Sequence, residues 1–392
     1  MSDPFAPDPG LAAQLGLGPD LAPAPDRSGT PPTSGAAGDL GAGARWPTGA
    51  TGLAPVRGTD IRAACAVIAG ELTELPFVPA LPDRGVGADP VGRDVALLVD
   101  LAAEVVPSGW RLTGRPGRDV QRARDLLAWD LDAAGDSFAG APALVLGVRG
   151  PISLAASLEL AGGERAITDP GAVRDLTESL ADGVRTMLAE LGRRLPGTQL
   201  CGYFDEPLLA ACLSGQIPTA SGFGTVRAVP AERLQAWLTT GLAALAVPAV
   251  TGIEIGPAWE LARSAGATVV SCSWPEFIQQ SAAVVDRWAG AVSEGAQLIC
   301  QLDRPAAAAP SDRQSQQAAQ PVDGSGSSFA ATGTAVLRSW RHAADPEAAQ
   351  RQLLLAAPPV QHSDALAPAL AFARRLVEAV GDPPASWTDN SG

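Results

Sequence analysis

The stretch QLCGYFDEPLL, residues 199–209, carries an apolar run straight into two adjacent carboxylates, Asp205 and Glu206. At an open rim, Asp205 can hold a substrate ammonium through a charge-assisted hydrogen bond. Alternation along the chain turns Glu206 the other way, where it can brace a loop. A competing reading is a plain helix start, in which Asp before Glu-Pro caps a turn without any ligand. Both readings stay open on the residues alone. Two glycines at strand ends invite similar attention. Gly52, in GATGLAP, lets backbone approach a ligand closely or simply makes a tight turn, and Gly150-Pro151 does the same after ALVLGVRG. The glycine-rich segment from Arg84 to Arg93 lacks the strand and spacing of a dinucleotide fingerprint. Cys201 and Cys212 flank the acidic pair with no neighbouring cation to lower a thiol pKa.

What the chain lacks narrows its chemistry further. All 28 basic residues are arginine, which excludes a Schiff-base lysine, pyridoxal attachment and a P-loop lysine. Two histidines, His342 and His362, cannot build a three-histidine metal site. The net charge of −14 is spread along the chain, a poor match for a phosphate backbone, so nucleic acid is not an expected partner. Five cysteines without a C-x-x-C pair suit a reduced, cytoplasmic protein. The N-terminus has no secretory pattern. The longest apolar stretch, Trp237 to Val250, is too short and too interrupted for a membrane span.

These candidate groups need a scaffold. Residues 1–45 read as a disordered leader, 306–328 as a low-complexity insertion and 383–392 as a flexible tail. A single domain is expected over 46–382. Short apolar runs at Ala50–Ala54, Phe77–Leu81, Ala143–Val148, Gln199–Phe204, Val247–Thr251, Thr268–Cys272, Gln297–Gln301 and Leu353–Ala357 predict strands buried on both faces. Helical periodicity predicts helices over Asp60–Glu71, Val91–Val106, Ala172–Arg194, Ala231–Leu245, Ile278–Val292 and Asp364–Val380. Asp169 and Pro170 mark the start of the third of these. Eight strands alternating with helices predict an α/β fold of the (β/α)8 TIM-barrel type, with functional groups at the carboxyl ends of the strands.

The order of GATGLAP, LPDRGVGADPVGR, VRGPISLAASLEL with RAITDPGAVRDL, and FDEPLL resembles the cobalamin-independent methionine synthase superfamily. It is most similar to short, single-barrel actinobacterial members, over roughly residues 48–380. The resemblance implies a barrel shared with uroporphyrinogen decarboxylases. It also implies methyl transfer from a methylated folate to a homocysteine thiolate held by zinc. Asp205 matches the acid that binds the homocysteine amino group, and Asp89 loosely matches a second. Gly52, Leu53 and Ala54 match the segment near the substrate carboxylate, with Ala54 where the family commonly has Ser. The family's zinc ligands are His-x-Cys after one strand, Glu after the next and Cys after the last. Here the corresponding strand ends, VPAVTG and AAPPVQ, carry neither His nor Cys. Glu254, Cys272 and His362 follow the same three strands and could form a rearranged zinc set. Against that set, Cys272 reads as a buried core thiol and His362 as a cap or solvent-facing residue. Two other readings follow. One is a non-catalytic barrel that binds a small amino acid or a protein partner. The other is a decarboxylase-like barrel with Arg57, Arg84 and Arg93 for tetrapyrrole propionates.

Overall fold

The structure, a computed structural model, describes residues 45–253, 255–277, 279–302, 353–360 and 362–381. The expected insertion and tail, Glu254, and all of the expected leader but its last residue lie outside the described residues. Seven parallel strands form the main sheet: β1 (Gly49–Thr51), β4 (Ala143–Arg149), β6 (Gln199–Asp205), β7 (Ala249–Thr251), β8 (Val269–Ser273), β9 (Gln297–Gln301) and β10 (Leu353–Ala356). Their order across the sheet is β1-β10-β9-β8-β7-β6-β4. The sheet curls into a half-barrel within a mixed α/β fold. Beyond its β4 edge, Val78 N–H donates to Val145 O at 2.9 Å, and Val145 N–H donates to Pro76 O at 2.8 Å.

Each strand buries one face against helices and the other inside the curl, which explains its continuous apolar composition. On β6 the alternation is plain. Gln199, Cys201, Tyr203 and Asp205 share the concave face. A Cβ at Gly202, one residue out of phase, would instead meet Leu245 and Leu188 of the helical layer. Trp46 closes the amino end of the curl. Its N–H donates to Gln297 Oε1 at 2.8 Å, its carbonyl accepts from Gln297 Nε2 at 2.9 Å, and its ring lies 6.2 Å from that of Tyr203.

The helices between these strands are α1 (Ile61–Glu71), α2 (Pro90–Val95), α3 (Arg118–Ser137), α4 (Pro151–Ser157), α5 (Pro170–Arg194), α6 (Leu209–Ser214) and α7 (Ala231–Leu242). After these come α8 (Pro257–Ser264), α9 (Trp274–Phe277), α10 (Ala282–Ser293) and α11 (Leu366–Gly381). Asp169 caps α5 as its sequence suggests, accepting from Gly171 and Ala172 N–H with Pro170 in the first turn. Its stripe of Val173, Leu176, Leu180, Val184, Met187 and Leu191 is buried.

Several segments depart from the sequence expectation, beginning with the strand expected over Phe77–Leu81, where only Phe77 forms an isolated bridge, to Val145. The helix expected over Val91–Val106 stops at Val95, and Asp100 takes a left-handed φ of +59°. The chain then enters a hairpin of β2 (Ala102–Val106) and β3 (Gly109–Thr113), and β3 also pairs with the two-residue β5 (Leu158–Glu159). Helix α3 was not expected. Alanines at 123, 133 and 134 supply much of its buried stripe, so its apolar period is faint in sequence. No helix among the described residues is long and apolar enough to cross a membrane.

Candidate functional site

Asp205 ends β6 on the concave face, in register with Arg149 on β4 and Thr251 on β7. Its Oδ1 accepts from Thr251 Oγ1 at 3.2 Å. Burial raises the Asp205 pKa, and the Arg149 guanidinium and Thr251 hydroxyl pull it partly back. The neighbouring loop gives it room. Gly252 has φ +69°, and a Cβ there would stand 2.2 Å from Asp205 Oδ1.

A cavity of about 110 Å³ opens above this carboxylate, walled by Gly52, Leu53, Arg93, Asp94, Arg149 and Tyr203 among others. A second, of about 200 Å³, shares Leu53, Ala54, Pro55 and Asp205 and extends to Gly252 and Gln301. Together they reach the lower end of the ~300–1,000 Å³ typical of small-molecule sites. Asp205 therefore stands at the carboxyl ends of the strands, facing the GATGLAP segment. Gly52 itself is held close by an aromatic ring, since a Cβ there would lie 2.4 Å from Phe77 Cε1. Tyr203 Oη donates to Leu53 O at 3.1 Å, pinning the same segment.

Glu206 faces away. Its Oε1 accepts from Ile152 N–H at 3.0 Å and its Oε2 from Ser153 N–H at 2.7 Å, so it caps the first turn of α4 from outside. Burial pushes its carboxyl up to about 7 against the pull of these donors and the Ser153 hydroxyl. The helix after Asp205-Glu206-Pro207 takes Leu208 as its cap, with no side-chain bond, so neither acid starts it.

Asp89 is fully engaged. Its Oδ1 accepts from Val91 and Gly92 N–H and from Trp110 Nε1, and its Oδ2 from Gly87 N–H. The residue caps α2, and the next turns of that helix deliver Arg93 and Asp94 to the cavity. Sequence reading gave Asp94 and Arg149 no part in a site, and Arg93 only a place in the tetrapyrrole reading. Burial pushes the Asp94 carboxyl up to about 7, opposed by Arg93, Arg149 and the Arg149 backbone N–H. The other arginines of the tetrapyrrole reading are committed elsewhere. Arg57 pairs with Asp83 at 3.0 Å, and Arg84 grips Asp130 with both terminal nitrogens at 2.7 and 2.8 Å.

Arg93 and Arg149 are different. Arg93 Nε and Nη2 and Arg149 Nε are buried without a partner among the described residues. The one hydrogen bond recorded for the Arg93 guanidinium is long, Nη1 to Gly147 O at 3.4 Å. Each orphaned buried donor costs about 1–3 kcal/mol.

The candidate zinc residues do not meet at this mouth. Cys272 shares a small apolar cavity with Trp259, Phe277 and Trp288 in the helical layer, and its free thiol is hydrogen-bonded with that of Cys300 on the adjacent strand. Burial drives the Cys272 thiol well above the ordinary range. Ser271, one residue earlier, lies on the opposite face, accepting from Gly252 N–H and Gln301 Nε2. His362 is exposed at the start of a short turn, and Glu254 is outside the described residues. No group of three metal-ligating side chains occurs among the described residues. Cys201 and Cys212 are buried, with thiols pushed up to about 12 by burial.

No family model matches this chain, nor does any curated protein.

Proposed function

We propose that the chain is a (β/α)8 barrel that binds a small amino acid of the homocysteine type at its mouth. The segment Pro76–Val78 supports closure. It pairs with β4 on one side, and Phe77 packs under Gly52, beside the opposite edge of the sheet. The observation that carries the function is Asp205: a half-buried carboxylate at the end of a parallel strand, accepting from the Thr251 hydroxyl and facing a cavity. An ammonium group is the partner such a carboxylate best accommodates. GATGLAP faces the same space, as the resemblance to methionine synthases implies.

Methyl transfer from a methylated folate to the bound thiol is the activity that the resemblance adds. The described donor residues do not fit a zinc ion at this mouth, because Cys272 lies on the far face of β8 and His362 is exposed. That same mismatch favours the second reading, a barrel that binds its amino acid without turning it over. Homocysteine and methionine are expected to raise the melting temperature of the wild type. Asp205→Asn is expected to abolish the shift while melting normally without ligand. A shift that persists undiminished in the variant would remove Asp205 from the site. Metal quantification beside a methyl-transfer assay separates the two readings.

A further inference from the structure

We infer that Arg93 and Arg149 form an oxyanion subsite in the same mouth, so that the ligand's acid group is read by guanidinium donors. The inference rests on the amino-acid reading above and assigns the other end of that molecule. Both arginines wall the cavity that contains Asp205. Arg149 is the register neighbour of Asp205 on the adjacent strand. Arg93 reaches the same strand end, toward Gly147 O. Three of their guanidinium nitrogens are buried and unpartnered, and Arg93 as a whole is only 9% exposed. Arg84, by contrast, is neutralised in place by Asp130. Arg93 and Arg149 pair with no carboxylate among the described residues, although Asp94 and Asp205 line the same space.

Arg93 leaves the Nε and Nη2 edge of its guanidinium unpartnered and Arg149 its Nε, beside a cavity that both residues line; such planar donors match the two oxygens of a carboxylate, or the oxygens of a phosphate. With Asp205 nearby for the ammonium, the subsite selects a zwitterion over either half alone. Tyr203 and Gly147 line the same cavity and add no charge.

The test uses wild-type protein and four probes in titration calorimetry: homocysteine, 3-mercaptopropylamine without the carboxylate, 4-mercaptobutanoate without the ammonium, and inorganic phosphate. Losing the carboxylate is expected to weaken binding about thirtyfold or more, the scale for removing one partner of a buried charge pair. Arg93→Gln and Arg149→Gln are each expected to erase the gap between homocysteine and the amine. Circular dichroism and the melting temperature without ligand show whether either variant is folded, and the probe series in wild type stands if both fail. If the amine binds as tightly as homocysteine, the oxyanion subsite is wrong while the Asp205 reading survives. If 4-mercaptobutanoate matches homocysteine and depends on Arg93, the subsite stands and the ammonium contact falls. Phosphate binding alone, lost in Arg93→Gln, keeps the subsite but reassigns its ligand to a phosphorylated molecule. Binding of none of the four overturns both.

Discussion

Gly252 fixes where the Asp205 carboxylate can be. At φ +69° an alanine costs about 1–2 kcal/mol in backbone energy alone. Its Cβ would also occupy the space of Asp205 Oδ1. Gly252→Ala is therefore expected to lower the melting temperature modestly and, more tellingly, to remove stabilisation by homocysteine. A variant that melts lower but keeps the full ligand shift would show that the carboxylate has freedom the structure denies it. Asp205 was legible in the sequence because an acid ending an apolar strand is a local pattern. Arg93 and Arg149 were not legible as a pair. Nothing local marks an arginine as unpaired: Arg84 and Arg93 share one glycine-rich segment, yet Arg84 is neutralised by Asp130 from a helix that the periodicity concealed. Asp89 shows the converse. Its motif was legible, but its four donors can be counted only in three dimensions.

At the level of elements, Glu206 joins two units of the fold. It ends the β6 segment and caps α4, which follows the neighbouring strand β4. Ser153 completes the link by accepting from Leu208 N–H at 3.0 Å. Glu206→Ala leaves two buried N–H groups without acceptors, each costing about 1–3 kcal/mol. Denaturant unfolding is expected to show a loss of that order, smaller in Glu206→Gln, which keeps one acceptor oxygen. Equal losses in both variants would mean that the carboxylate's charge, not its acceptor geometry, holds α4. Although Phe77–Leu81 forms only an isolated bridge, the other seven expected strands were legible because buried parallel strands are short apolar runs between turn residues. The β2–β3 hairpin was not. Its neighbour α2 ends where an apolar, helix-compatible run, residues 95–99, begins, and the break at Asp100 is a backbone conformation that composition does not announce. Helices rich in leucine and valine, such as α5, were read nearly to their ends, whereas the alanine-rich stripe of α3 fell below notice.

For the whole molecule, two buried carboxyls make stability depend on pH in an unusual direction. Asp94 is fully buried and its carboxyl is pushed up to about 7 from an ordinary value of 3.8, chiefly by burial. The folded state therefore holds this proton more tightly than the unfolded chain does. Its contribution to stability is complete below about pH 4, declines as pH rises toward 7, and is gone above that. Glu206, pushed up to about 7, acts in the same sense, as does the raised Asp205. The acidic surface, with a net charge of −14 at pH 7, adds repulsion that also grows with pH. A falling stability curve would not by itself single out Asp94. Asp94→Asn isolates it, because asparagine keeps the shape of the protonated acid and cannot titrate. The stability of wild type relative to this variant is expected to fall by about 2–3 kcal/mol between pH 5 and pH 8. Paired denaturant titrations at the two pH values measure that difference directly. A gap that stays constant, or widens toward pH 8, would mean that Asp94 is charged in the folded protein. It would then neutralise Arg93 and Arg149, and the cavity would hold no surplus positive charge for an incoming acid group.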